Sequence, residues 1–362
     1  MRQRRNRTFS VLFPWLLIAV WATAAPAAVI NYSITDLGAY PVGMVPFASS
    51  NSVNFSGQGI FGNVIVQAGG SSTEIPLDLG DALEGRAIND AGLMVGRLMD
   101  YDPAVGRVVP RAYAWSIANG LEFLGPAYSE ARNVNEKGWI VGDFLAGGSE
   151  RRGALWVPNG SSYELRELLG GSGQVFGRAV SESGIVTGTL LRTSNGPVAF
   201  TWDSSARLFQ QAGGMHGFAV NDFGQVAGRT KIGGNWSSFF WDPVTGSDLF
   251  GGSPSWGLGV NNSGQAVGFH DPLSVPVEHD SPIYFDIAGN TADFESLGIP
   301  NMKAVKINEL GQIVGLAEAS DGWHAVRWDP PGLGQQVPEP SALWLLVLGL
   351  LSFGAIRFRL FW

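Results

Sequence analysis

The residues able to do chemistry are few, and most of them are scattered along the chain. The densest group is His270-Asp271 followed by Glu278-His279-Asp280, which together hold two of the four histidines. Imidazole beside carboxylate is the side-chain set of a metal site or of an acid–base pair. The spacing supports neither: no His-Glu-x-x-His and no Asp-x-Asp-x-Asp-Gly run occurs. A polar surface loop that can touch a ligand is the simpler reading. Trp236, Trp256 and Trp323 suit the apolar face of a sugar ring where they are exposed, and fill space between elements where they are not. The candidate ligand-binding residues are therefore Trp236, Trp256, His270, Asp271, Glu278, His279 and Asp280. The chain has no Cys, which removes a thiol nucleophile and thiolate metal ligands, and it has no Gly-x-Ser-x-Gly elbow. The reading assigns no catalytic residue, no metal ligand and no cofactor, and expects a protein that is not an enzyme.

The elements that hold these residues are written as a repeat. A small or apolar residue, Asn, two variable residues, Gly, three residues and a second Gly recur through the chain. The block starts at Asn89, Asn135, Ser181, Asn221, Asn261 and Asn308, with Gly at 92 and 96, 138 and 142, 184 and 188, 224 and 228, 264 and 268, and 311 and 315. A looser first copy has Asn54, Gly57 and, one residue late, Gly62. The steps are 35, 46, 46, 40, 40 and 47 residues, the size of a repeat unit. Asn at the first position and Gly at the fourth make a type I turn in which Asn caps and Gly takes positive φ. Such a turn joins two strands, and the second Gly marks a bulge or a close backbone approach. Short aromatic strands follow, among them Ala112–Trp115, Ala154–Trp156, Ala199–Trp202, Phe239–Trp241 and Ala325–Trp328. Asp-Leu-Gly or a variant then recurs, as at Asp36–Gly38, Asp78–Gly80 and Asp248–Gly251.

Each unit thus supplies four strands: into the Asn turn, out of it, the aromatic strand and the Asp-Leu-Gly strand. Four strands in 40 to 47 residues predict an all-β fold, a β-propeller of about seven four-stranded blades. The domain opens on an Asp-Leu-Gly strand and closes on a Trp strand that lacks one. The first strand is expected to complete the last blade and close the ring, removing two sheet edges. An open β-solenoid is the alternative, and the loose first copy leaves six or seven blades open. Asn turns and Trp-Asp-Pro turns fall on one face. The other face is expected to carry long irregular loops, at Arg97–Arg111, Asp143–Gly153, Thr189–Pro197, Thr230–Trp236 and Phe269–Pro282. Asp100-Tyr101-Asp102 and Glu150-Arg151-Arg152 read as solvated loop charges there. Variable loops on a rigid frame are where a binding site is expected, around the axial funnel.

The two ends are addresses. Arg2, Arg4, Arg5 and Arg7, then apolar Val11–Ala24, then Ala25-Pro26-Ala27 give the layout of a secretory signal peptide over residues 1–28. The repeat domain is placed at 29–334 and a sorting and transmembrane tail at 335–362. That tail reads Pro338-Glu339-Pro340, an apolar run from Leu343 to Ile356 and Arg357-Phe358-Arg359. As a helix the run is ~21 Å long, and the closing arginines stay cytoplasmic by the positive-inside rule. Pro338, Glu339 and Pro340, the apolar helix and Arg357 and Arg359 closely resemble the PEP-CTERM sorting signal. The resemblance implies processing by an exosortase-type enzyme, a membrane contact through the C-terminal helix, and a Gram-negative bacterium that makes extracellular polysaccharide.

The repeat between Ile34 and Trp328 resembles the HAF-repeat extracellular proteins, whose Asn-x-x-Gly-x-x-x-Gly turn is followed by a His-Ala-Phe strand. Only His324-Ala325-Val326 comes near that triplet; the other copies keep Ala or an aromatic and lose the His. The likeness implies an exported repeat domain and transfers no catalytic residue. The formal net charge is −8, and the six arginines of the two ends belong to the signals, so the domain itself is more acidic. Such a surface repels phosphate backbones, so nucleic acid is not an expected partner. The function expected is a surface-anchored binding or structural protein of the cell envelope or extracellular polysaccharide matrix, with polysaccharide as its partner. The alternative is a secreted carbohydrate-active hydrolase or lyase with its site in the funnel.

Overall fold

A computed structural model describes residues 29–40, 52–67, 71–75, 82–147, 149–168, 173–192, 196–250, 254–271, 280–286, 290–295 and 298–332. These residues form strands and turns, with no helix among them. The strands group into seven sheets, antiparallel except where the N-terminal strand joins the last of them, that otherwise follow one another in the sequence. Blade 3 shows the plan: Ser129–Val134, Ile140–Leu145, Arg151–Asn159 and Ser162–Leu168 run up and down from the inside outwards. Blades 2, 4 and 5 repeat it from innermost strands Ala82–Ile88, Gln174–Val180 and His216–Val220. The order is the one written in the repeat, with the Asn turn between the first two strands and the Trp strand third.

The seven Asn or Ser turns are built alike. In blade 2 the Gly92 N–H donates to the Asn89 carbonyl (3.0 Å) and the Leu93 N–H to Asn89 Oδ1 (2.9 Å). The glycine of every turn, from Gly57 to Gly311, has φ between 73° and 89°, a conformation costly for a side chain. The side-chain amide does a second job. Asn54 Nδ2 donates to the Asn89 carbonyl, Asn89 Nδ2 to the Asn135 carbonyl and Asn135 Nδ2 to the Ser181 carbonyl, at 2.9, 3.1 and 2.8 Å. Asn221 and Asn261 reach the Asn261 and Asn308 carbonyls in the same way. The repeat residue therefore clasps its own turn and the next blade at once. Ser181 caps Ile185 N–H through Oγ (3.1 Å) but has no amide to send to Asn221. S181N supplies the missing donor. A buried neutral hydrogen bond contributes about 1 kcal/mol, so scanning calorimetry should find the melting temperature raised by about 2 °C; a fall would show that the clasp does not stabilise the ring.

The second Gly has a different cause. Each innermost strand carries a β-bulge opposite it, at Arg86, Arg132, Arg178, Phe218, Leu258 and Val305. The bulge pushes the carbonyl of the residue two before it against the glycine Cα. A Cβ at Gly96, Gly142, Gly188, Gly228, Gly268 or Gly315 would overlap the carbonyl oxygen of Glu84, Glu130, Phe176, His216, Trp256 or Lys303. In the first copy Phe61 stands at this position. Gly62 instead opens the hairpin to Val64–Val66 with φ 54°, so it is not the displaced equivalent the sequence suggested.

The loose copy nevertheless forms blade 1, from Gly59–Phe61, Val64–Val66 and Ser72–Glu74, with Val53 bridged to Gly59 as a remnant of the innermost strand. The count is seven, and the ring closes. Seven apolar clusters sit between neighbouring sheets, where an open row of seven sheets has only six interfaces. Six join consecutive blades, as where Val95 and Ala114 of blade 2 meet Ile140 and Trp156 of blade 3. The seventh joins Val305, Val314 and Ala325 of blade 7 to Val53 and Val66 of blade 1, which excludes the solenoid. The Trp strands fill these interfaces: Trp156, Trp202 and Trp328 are buried outright, so their role is packing.

The N-terminal strand Val29–Ala39 is the latch. Its Ser33–Ala39 half pairs antiparallel with Gly322–Asp329 as the outer strand of blade 7. Its Val29–Tyr32 half pairs parallel with Thr291–Phe294, the strand that follows blade 6. His324 fastens the latch from the side, Nδ1 to Asp36 (2.9 Å) and Nε2 to Asp321 (3.0 Å). Partial burial pulls its pKa down, but the hydrogen bonds and charges of Asp321 and Asp36 outweigh this and raise it.

Four of the stretches expected to be long irregular loops are hairpins. Strands run through Met94–Asp102 and Arg107–Ser116, and likewise up to Leu145, Arg192 and Ile232 and onward from Arg151, Gly196 and Asn235. Tight turns with positive-φ Gly106, Gly196, Gly233 and Gly234 need few residues, so polar residues on solvent-facing strand positions had the look of loop. Asp100, Asp102, Glu150, Arg151 and Arg152 accordingly lie on or beside strands and in ion pairs, not as free loop charges. In blade 6 the strands stop at His270 and resume at Ser281.

Candidate ligand site in the axial channel

The innermost strands surround the axis, so their residues set the channel's chemistry. Blades 2 and 3 give it a closed charge network. Arg86 pairs with Glu84 (3.2 Å) in its own strand and with Glu130 (2.9 Å) of the next blade. Arg132 pairs with Glu130 (2.8 Å) and with Asp143 (2.7 Å), whose other oxygen meets Arg151. Asp143 is fully buried. Glu84, Glu130 and Asp143 are thus each held by at least one guanidinium.

Blades 4 to 6 are different. The repeat position occupied by Glu84 and Glu130 becomes Phe176, His216 and Trp256, and the position of Asp143 becomes Thr189 and Arg229. Arg178 keeps the bulge position but meets no carboxylate at ion-pair distance among the described residues. It faces the Phe218 ring at 5.5 Å. The Arg229 guanidinium lies against two indoles, 3.7 Å from the Trp256 ring centre and 4.1 Å from that of Trp236. The Nε of each arginine is buried with no hydrogen-bond partner. Burial lowers both guanidinium pKa values to about 10, helped at Arg178 by the charge of Arg132. His216 shares the pocket, its Nδ1 2.9 Å from Thr189 Oγ1. Burial first, then the charges of Arg229 and Arg178, push its pKa down to about 4, so it is neutral at pH 7.

Of the residues singled out in the sequence, Trp236 and Trp256 reach this cluster, each with a face on Arg229. Asp271 lies beside it and accepts from Trp256 Nε1 (3.3 Å). Asp280 pairs with Lys303 (3.0 Å), whose ammonium also lies 4.8 Å from the Phe269 ring centre. His270 sits at the strand end opposite Ser255 and Ser281. Glu278 and His279 lie outside the described residues. No group of three His, Asp or Glu able to hold a metal occurs among the described residues. Sequence reasoning missed Arg178 and Arg229. The available signal was their place in the repeat: each stands where other blades pair an arginine with an acid, without the acid.

The opposite mouth, ringed by the Asn turns, encloses a cavity of about 230 Å³. Asp90, Glu136, Glu182, Asp222 and Glu309 line it with Lys306. These acids are used by the fold. Asp90 accepts from the Phe55 N–H, Glu136 from that of Asp90, Glu182 from that of Glu136, Asp222 from that of Ser183 and Glu309 from that of Asn262, at 2.6 to 3.2 Å. In five turns a free N–H is thus satisfied by an acid of the next blade. Lys306 crosses the mouth to Glu136 (2.9 Å).

The PEP-CTERM protein-sorting motif matches residues 336–359. This motif is a signal of exported, surface-sorted proteins of Gram-negative bacteria, and exosortase processes it. Pro338, Glu339, Pro340, Arg357 and Arg359 fall inside the match and outside the described residues. Among the described residues no helix is long and apolar enough to cross a membrane. No curated protein sequence matches the chain. Solved structures similar to it include the β-propeller domain of the Trilobed protease from Pyrococcus furiosus, which has an open velcro topology, at 10% identity and TM-score 0.46 over 68% of this chain and 80% of that one. Pyrococcus horikoshii acylaminoacyl peptidase matches at 12% identity and TM-score 0.46, over 68% of this chain and 44% of that one. TolB from Acinetobacter baumannii matches at 16% identity and TM-score 0.35, over 66% and 63%. The chain spans less than half the length of that peptidase.

Proposed function

We propose that this protein is a non-catalytic binding module of the cell envelope or extracellular polysaccharide matrix, a HAF-type repeat domain displayed outside the cell, with its ligand taken at the axial channel. The signal layout of residues 1–28 and the sorting motif at 336–359 support export and display. One observation carries the non-catalytic part. The channel carboxylates Glu84, Glu130 and Asp143 are each bound to arginine, whereas glycoside hydrolysis needs one carboxyl group free to hold a proton beside a second that is ionised. The aromatic and cationic half of the channel, with Trp236, Trp256, Phe218 and two arginines, offers surface for a polar polymer instead. A glycan array probed with the full chain in detergent, with and without calcium, tests the reading. Saturable binding of a polysaccharide without the appearance of new reducing ends is the expected result. New reducing ends or unsaturated sugar products would make the protein a hydrolase or lyase, and no binding to any glycan would sink the matrix reading.

A further inference from the structure

Three arginines occupy the same bulge position in successive blades, Arg86, Arg132 and Arg178. The first two are neutralised by acids from fixed repeat positions: two residues earlier in the strand, the same position in the next blade, or the residue after the second Gly. For Arg178 those positions hold Phe176, His216 and Thr189. The position after the second Gly then brings a second cation, Arg229, to the same Phe218 ring, at 5.6 Å. Asp271 acts on Arg229 only through space; its carboxylate accepts from Trp256. Two partly buried guanidinium groups therefore share one pocket with no carboxylate at ion-pair distance among the described residues, Glu130, Asp143 and Asp271 acting on them only through space, a costly arrangement, and the histidine beside them is neutral. The indoles of Trp236 and Trp256 both lie against the Arg229 guanidinium, which restricts its orientation, and its Nε–H is left without an acceptor. A carboxylate matches a guanidinium N–H edge with two parallel hydrogen bonds.

We propose that Arg178 and Arg229 form an anion subsite in the channel that takes the carboxylate of an acidic saccharide. The subsite supplies the missing countercharge from the ligand, and it rests on the polysaccharide-binding reading above. It also reassigns Trp236 and Trp256, which hold the arginine in place and do not stack on a sugar ring.

The test uses the full chain in detergent with polygalacturonate, the same polymer with its carboxyl groups reduced to alcohols, dextran sulfate, and free galacturonate. Polygalacturonate is expected to bind at least about tenfold more tightly than the reduced polymer, as hydrogen bonds to a charged partner predict. R178Q should cost about tenfold in that affinity, and R229K, which keeps the charge and loses the fork, several-fold. Free galacturonate should raise the melting temperature of the wild type and not of R178Q. Without ligand, R178Q should melt at the wild-type temperature or higher, because the buried unpaired charge is gone. A clear fall in that temperature would make Arg178 a structural residue and overturn the proposal. Equal binding of the two uronate-derived polymers, or wild-type affinity in R178Q, would also overturn it. Dextran sulfate binding as tightly as polygalacturonate would remove the carboxylate assignment. Binding of neutral polymer untouched by R178Q would sink the subsite and leave the polysaccharide reading standing. Galacturonate protection lost in R178Q, with no polymer bound, would keep the subsite and sink that reading.

Discussion

G142A should unfold far more readily than the wild type, losing about 3 kcal/mol or more in urea denaturation. Its Cβ would enter the space of the Glu130 carbonyl oxygen, with the Ala131 Cα 3.1 Å away. Both obstacles are backbone of the innermost strand, so no side-chain rotation relieves them. Relief requires flattening the bulge at Arg132, and the bulge is what turns Arg132 toward Glu130 and Asp143. The turn glycine four residues earlier makes the comparison. At Gly138 the nearest atoms to an added Cβ are side-chain carbons 3.6 Å away, and φ is 77°, so G138A costs only the left-handed penalty of about 1–2 kcal/mol. If G142A and G138A lose the same stability, the close-approach account of the second glycine is wrong.

R132M should lose about 3 kcal/mol, because breaking a buried ion pair strands its partner. Asp143 is fully buried and keeps Arg151 alone, while Glu130 keeps Arg86 at 2.9 Å and Arg97 at 3.9 Å. Arg152, half-exposed and paired with Glu150 and Glu167 at the solvent side, sets the contrast: R152M should change stability by less than about 1 kcal/mol, as solvent-facing pairs do. The double variant R132M/D143L should recover much of the loss, since apolar groups of similar volume often replace a buried pair at little cost. Denaturation midpoints of the three variants check this. An R132M protein as stable as the wild type would mean that water reaches Asp143 and that the channel network is solvated.

The local chemistry of the repeat was legible because it is local. Asn at the first position and Gly at the fourth define a turn through bonds that close within five residues. Apolar strands, the Trp strand and the Asp-Leu-Gly strand repeat in a fixed order, and the latch followed from a unit that starts one strand early and ends one strand short. From these the sequence determined an all-β repeat of six or seven blades with its N-terminal strand as the expected latch, and its last residues carry the sorting signal; the seventh blade and the closed ring came from the structure.

What the tertiary structure decided lies between blades. Asn135 Nδ2 reaches a carbonyl 46 residues away and Arg86 an acid 44 residues away; the period puts like residues at like positions, but only the rotation from one blade to the next says which of them touch. The long loops dissolved into hairpins because a strand with one solvent-facing side is as polar, residue by residue, as a loop. Trp236 and Trp256 were visible as aromatic surface, yet their partner is Arg229, brought to them by the ladder of blade 5 and the turn of the ring. Arg178 and Arg229 were missed for the same physical reason. An unpaired charge is a property of the space around it, and that space is assembled from three blades that the chain writes 40 residues apart.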